Sequence, residues 1–168
     1  MITMEQMLDA LHGGCDGLVE LRAIPPGNGH PDATFLKPGD VHGLTTFLGD
    51  HVREHVYVAV ATRRDHTSGR LDNCLALPAL FVDLDFKTID EDVARQRLYD
   101  FPFPPSIAVL SGGGLHVYWL LREPLNLQDS ADRRMAYSLL RRLAQYLGAD
   151  LQAAEPARCL RLPGSSNF

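Results

Sequence analysis

The segment ALFVDLDF, residues 79–86, sets two acids into an otherwise apolar run and most constrains the fold. Its composition reads as a buried strand, and side chains along a strand alternate between two faces. Leu80, Val82, Leu84 and Phe86 then share one wholly apolar face, suited to a core. Ala79, Phe81, Asp83 and Asp85 share the other, so both carboxylates project from the same side, two positions apart. Burying two like charges without a partner is costly. A divalent cation is the natural partner, because hard cations such as magnesium prefer carboxylate oxygens and also bind substrate phosphates. The bland alternative is an edge strand whose acids face water.

The rest of the chain punctuates into short elements. Residues 4–12 read as an amphipathic helix stopped by Gly13-Gly14, and residues 17–24 as a strand ended by Pro25-Pro26. Residues 25–33 are a loop by composition, and Asp40 is placed to cap a helix running to about residue 53. A β-branched and aromatic run at 56–62 predicts a strand, and residues 63–78 a long loop. After the acid-bearing strand come a helix at 90–100 with acids in its first turn, a strand at 106–110, a turn SGGG at 111–114 and a strand at 115–121. Residues 128–147 make the longest helix, with Ala131, Met135, Leu139, Leu143 and Leu147 on one stripe, and residues 157–164 form a last strand. From residue 79 the order is β-α-β-β-α-β, the split βαβ arrangement, which leaves one sheet face covered by helices and the other open.

In LHVYWLL, residues 115–121, Leu115, Val117, Trp119 and Leu121 point one way, and His116 and Tyr118 the other. If the apolar faces line the same core, His116 shares a face with Asp83 and Asp85. The glycines before it can bring backbone N–H groups close to an anion. Asp150 follows the long helix. Arg158 and Arg161 are three apart in the last strand, so a bulge is needed to aim both at one ligand.

Together these residues resemble the catalytic domain of the archaeo-eukaryotic primase superfamily, in particular the primase–polymerases of plasmids, phages and mobile elements. Three motifs match in order: the strand FVDLDFK, the glycine-rich turn into a histidine strand SGGGLHVYW, and Asp150 trailed by ARCLRLPGSSN. The upstream VAVATRRDHTSGRLDNC also resembles the segment that precedes the first motif in this group. The resemblance spans most of the chain from about residue 56. It implies an α+β fold, with an N-terminal αβ lobe (about 1–75) packed on an RRM-like split βαβ lobe (about 76–168) and the active site between them.

The implied activity is template-directed nucleotidyl transfer, making and extending primers. Asp83, Asp85 and Asp150 would hold two Mg²⁺ or Mn²⁺ ions, one activating the attacking 3′-hydroxyl and the other binding the triphosphate and the leaving pyrophosphate. Ser111, Gly113, Gly114 and His116 would contact the incoming nucleotide's phosphates, Arg158 and Arg161 would neutralise them, and Arg63 or Arg64 would join. A triphosphate and three carboxylates outweigh two divalent ions, so nearby cationic side chains are what such a site needs. Single-stranded DNA, a primer and ribo- or deoxyribonucleoside triphosphates are the implied partners. The family's strand usually continues past the PG[ST]xN segment, whereas this chain ends at Phe168, which points to a natural short form, a fragment, or one module of a larger replication protein, with template contacts or a helicase in a further domain or partner.

Composition narrows the alternatives. A net charge of −5 is not the footprint of a protein that holds nucleic acid mainly by electrostatics, so such contacts should be local. Cys15, Cys74 and Cys159 are far apart and form no CxxC, which suits reduced thiols in the cytoplasm. No apolar run approaches membrane-spanning length. A haloacid-dehalogenase phosphatase would need D-x-D-x-T, but Lys87 takes the threonine's place and Thr88 comes one position late. HVREH, residues 51–55, matches the inverted zinc-protease pattern, yet the strand begins at once after it, which favours a solvated helix end. A non-catalytic RRM-like binding module remains, although an open face carrying acids would repel a phosphate backbone unless metal is bound. The arginines of the long helix read as a solvated surface.

Overall fold

The structure, a computed structural model, describes residues 3–27 and 29–165. Asn28 of the expected loop, and Ser166 and Asn167 of the expected motif tail, lie outside the described residues. Helix α1 (Met4–His12) starts at a reciprocal cap: Gln6 N–H donates to Thr3 Oγ1 at 3.2 Å, and Thr3 N–H to Gln6 Oε1 at 2.9 Å. It buries Met7, Leu11 and His12. Strands β1 (Val19–Ile24) and β2 (Asp32–Leu36) form a hairpin, and helix α2 (Val41–Asp50) follows, capped by Asp40. The strand β2 was not expected. It is short, lies at a sheet edge and is at most half-buried, so its sequence carries little apolar alternation.

Strand β3 (His55–Ala59) leads through a short 3-10 turn at Leu71–Asn73 to β4 (Ala76–Asp85), the acid-bearing strand. The strand β4 starts within the stretch expected to be loop. Its register against β6 (Gly114–Asn126) shifts between Leu77 and Ala79, where Pro78 has no N–H to give. Helix α3 (Glu91–Asp100), strand β5 (Ile107–Leu110), helix α4 (Ser130–Leu147) and strand β7 (Cys159–Arg161) complete the chain.

Two antiparallel sheets result, ordered β2-β1-β3-β7 and β4-β6-β5. The architecture is the expected α+β one, with a difference at its end. The last strand pairs with β3 of the first sheet, not with β4, so the chain crosses between sheets after α4. The crossing is fixed where Asp150 N–H donates to the Asp83 carbonyl at 2.9 Å, at the end of β4.

Helix α4 packs on β4 and β6 and buries Val82, Leu84, Leu115 and Val117 as expected. Its buried stripe is Ala136, Leu140, Leu143, Ala144 and Leu147, whereas Met135 and Leu139 are exposed. Strict i+4 spacing drifts by about 40° per step around a helix, so the expected stripe leaves the core at its N-terminal end. The opposite sheet face is not open throughout. Phe81 and Tyr118 are fully buried there, in one cluster with Met7, Leu11, Val60 and Leu160. A second cluster packs Leu21, Ala23, Val56 and Val58 under Leu44 and Phe47 of α2. Among the described residues no helix is long and apolar enough to cross a membrane.

Candidate active site

The acid-bearing strand and the histidine strand are direct neighbours. In the register of β4 and β6, Phe81 faces Tyr118, Asp83 faces His116, and Asp85 faces Gly114. Cross-strand partners project to the same face, so the row order runs from buried aromatics to half-buried acids as the strands reach the edge of the covering lobe. His116 Nε2 lies 3.5 Å from Asp83 Oδ1. Asp85 Oδ1 accepts the Lys87 N–H at 2.9 Å, and the Asp85 carbonyl accepts from Thr88, closing the turn after β4.

Gly114 has a steric reason to be glycine: a Cβ there would collide with the Leu84 carbonyl oxygen of the adjoining strand. The turn before it uses Gly112 at φ 90°, and Ser111 N–H donates to the Gly114 carbonyl at 3.0 Å. Ser111 and Gly113 line the cleft; Gly114 acts through the closeness of its backbone.

A cleft of about 320 Å³ opens over these residues, with Asp83, Asp85, Lys87 and His116 on one wall. Tyr57, Arg158 and Arg161 form the facing wall. Both arginines reach it because β7 is only three residues long and Arg158 precedes it in a turn, its N–H donating to Glu155 O at 3.2 Å. The irregularity the sequence demanded therefore sits at the start of the strand. Arg161 lies opposite Tyr57 in the β3–β7 register, with its guanidinium 5.3 Å from the ring centroid, and its Nη1 donates to His55 Nδ1 at 3.3 Å. Arg158 Nε is buried with no protein acceptor.

The charges of this cleft are poorly matched. Burial pushes the Asp83 carboxyl up from its ordinary value; Arg158 pulls it back, and Asp150 and Asp85 push it further up. Burial, then Arg161 and Arg158, lowers His116 to about 4, so its imidazole is neutral near pH 7, with Nδ1 buried and unpartnered. Burial and Asp83 together raise the Tyr118 phenol, whose hydroxyl has no partner either.

Asp150 is joined to Asp83 through its backbone, while its Oδ1 caps the following turn at Gln152 N–H, 2.8 Å away. Among the described residues, no three His, Cys, Asp or Glu side chains stand grouped tightly enough to hold a metal ion as placed. The donor chemistry nonetheless suits a hard cation: two carboxylates on one strand face, a third anchored beside them, and mutual repulsion that lifts Asp83.

Solved structures share this architecture. The primase–polymerase AEP domain of cyanophage S-2L superposes with a TM-score of 0.65 over 93% of this chain and 77% of that one, at 18% identity. The fold is that of the archaeo-eukaryotic primase superfamily. Primase RepB′ matches this primase fold with a TM-score of 0.64 over 98% of the chain and 51% of that one, at 15% identity. The catalytic domain of RepB′ in complex with initiator DNA gives 0.61 over 98% and 78%, at 16% identity. A Clostridium perfringens replication protein is 30% identical over 121 residues, which is 68% of this chain and 29% of that protein. The chain thus spans under a third of the length of that relative. No protein-family model matches the chain.

Four of the residues expected at this primase-type cleft do not line it: Asp150 and Gly114 border it through the backbone of β4, and Arg63 and Arg64 stand elsewhere. Arg63 is fully buried, with its guanidinium on Glu20, Ala61, Cys74 and Ala157, so it cannot meet a nucleotide. Arg64 is exposed beside Asp65 and Gln128, outside the cleft. Conversely, Tyr57 and Lys87 line the cleft without having been expected there. Tyr57 enters only through the β3–β7 pairing, which no local pattern announces; Lys87 follows Asp85 by two residues. HVREH is split, with His51 at the end of α2 and His55 in β3, so the two rings share no helical face.

Proposed function

We propose that the chain is the nucleotidyl-transfer domain of a primase–polymerase, which makes and extends primers on single-stranded DNA with Mg²⁺ or Mn²⁺. The observation that supports it best is the convergence of three sequence-distant motifs. Asp83 and Asp85 share one strand face, Asp150 is hydrogen-bonded to the Asp83 carbonyl, and Arg158 and Arg161 line the facing wall. The fold shared with primase–polymerases and the likeness to a replication protein point the same way.

Asp83, Asp85 and Asp150 would hold the divalent ions. Such ions, when bound, supply charge neutralisation of the attacking and leaving oxygens. The chain's own residues do the rest. Arg158 carries a buried N–H with no protein acceptor and, with Arg161, offers charge to a triphosphate across the cleft. Ser111 and Gly113 expose a glycine-rich turn against which a phosphate can rest. His116, neutral and largely buried, lines the same cleft with its Nε2 3.5 Å from Asp83 Oδ1. The acidic balance of the chain leaves template grip to local contacts and to the remainder of a longer replication protein, where a helicase would also reside.

The test is incubation with single-stranded DNA, Mn²⁺ and labelled nucleotides, with and without an annealed primer. The expected result is template-dependent extension by the native protein and none by Asp85→Asn. Absence of any incorporation, with or without primer, contradicts the reading, and triphosphate binding without incorporation would favour a non-catalytic RRM-like module.

A further inference from the structure

Among the described residues, Arg63 is the largest side chain with no solvent exposure. Its guanidinium is fully committed. Nε donates to Glu20 Oε2 at 2.8 Å, Nη1 donates to Ala61 O at 2.9 Å and lies 3.1 Å from Cys74 Sγ, and Nη2 donates to Ala157 O at 3.0 Å. Its backbone pairs with Leu18 in both directions. One side chain therefore joins β1, the exit of β3, the entry to β4 and the segment before β7.

The bond to Ala157 is the one that bears on the cleft. Ala157 immediately precedes Arg158, and the three-residue β7, which carries Arg161, starts at the next position. The strand is short and pairs with β3 alone, so a contact on the residue just before it bears directly on its position. Glu20 acts on the same region from a second side. Its other oxygen accepts Arg22 Nη2 at 2.5 Å, Arg22 pairs with Tyr57 across β1 and β3, and Tyr57 pairs with Arg161 across β3 and β7. The chain leaves room for this arrangement at Gly69, where a Cβ would come within 2.5 Å of both Glu20 oxygens and of Arg22 Nη2.

We infer that Glu20 and Arg63 are a positioning pair for the cleft, fixing the Ala157 carbonyl and with it the placement of Arg158 and Arg161 toward the nucleotide; this rests on the proposed nucleotide site. A merely cohesive role would not need a guanidinium, since apolar side chains of similar volume fill a core as well as or better than a buried ion pair. Only the planar fork satisfies Glu20, Ala61 and Ala157 at once, and a lysine ammonium at the end of a flexible stem cannot.

The experiment is a double-mutant cycle on binding of a non-hydrolysable deoxynucleoside triphosphate with Mn²⁺, with thermal unfolding followed in parallel, for the native chain, R63K, R158A and R63K/R158A. R63K is expected to weaken triphosphate binding about tenfold, and the double variant to bind within about twofold of R158A, because both act through the same arginine. Unchanged triphosphate affinity in a destabilised R63K overturns the inference, as do losses that simply multiply. Should R63K prove unfolded, E20Q, which keeps one acceptor oxygen where the two guanidinium groups had two, goes through the same cycle with the same criteria. If R158A itself binds triphosphate as tightly as the native chain, the nucleotide reading of the cleft fails first and the positioning role with it.

Discussion

Two clusters of charge lie close together and are treated in opposite ways. Around Glu20, one carboxylate meets two guanidinium groups, nothing is exposed beyond part of Arg22, and Arg63 finds an acceptor for each arm of its fork. In the cleft, Asp83 is surrounded by other carboxylates as well as by Arg158, and His116 and Arg158 each keep a buried polar atom without a partner. A chain that can close one ionic network so completely leaves the other open where a ligand would complete it. The first is a brace that needs nothing from outside; the second, on the proposed function, would be completed by a ligand that brings both cations and phosphates.

The sharpest way to break this contrast is to remove one member of the brace. Glu20→Ala strands two guanidinium groups, one of them wholly buried, and is expected to cost about 3–5 kcal/mol, read as a melting point lower by roughly 10 °C. A loss under about 1 kcal/mol would mean the pair is not a brace.

The cleft predicts a smaller effect that depends on pH. His116 stays neutral down to about 4, while its unfolded counterpart takes up a proton near 6.5. The unfolded chain then binds more protons in that window, so stability falls as pH drops from 7 to 5, by about 2 kcal/mol from this residue. His12, also lowered by burial, adds to the fall in the same direction. The gap between urea midpoints at the two pH values should narrow in His116→Gln, leaving the part due to His12, and an equal fall in both proteins would contradict the assignment.

Smaller again, and opposite in sign, is the effect of Asp83→Asn. The carboxyl's raised pKa means that its charge is unfavourable in the fold, so the amide should raise stability in metal-free buffer slightly while nucleotide transfer is lost. A destabilised variant would show that Asp83 belongs with the paired kind. Smallest of all, Arg64→Ala should change neither melting nor nucleotide binding beyond about 0.5 kcal/mol, since among the described residues the exposed Arg64 side chain bonds Asp65 and Gln128 at the surface.

Much of this was legible in the chain. Period-two alternation placed Asp83 and Asp85 on one face because strand pleating leaves no choice, with His116 beside them if the two apolar faces shared a core, and the register of β4 with β6 puts Asp83 directly opposite His116. The glycine turn was legible as a turn, although the collision that requires Gly114 depends on the neighbouring strand. What local pattern could not tell was which sheet receives β7. The three-residue strand carries no periodicity, and its pairing with β3 decides that Tyr57 joins the cleft and that Arg158 and Arg161 face it together. The same limit explains Arg63 and Arg64. Adjacent arginines look equivalent in sequence, and only the position of Glu20 on β1 draws one into the core and leaves the other in water.

The central claim is that Asp83, Asp85 and Asp150 act together on divalent ions. Calorimetric titration of Mn²⁺ into the native chain and into Asp150→Asn tests it most directly, because Asp150 is the acid that sequence separates from the other two. The account predicts saturable Mn²⁺ binding by the native chain that Asp150→Asn loses while keeping its fold; a variant that takes up Mn²⁺ as the native chain does would contradict it.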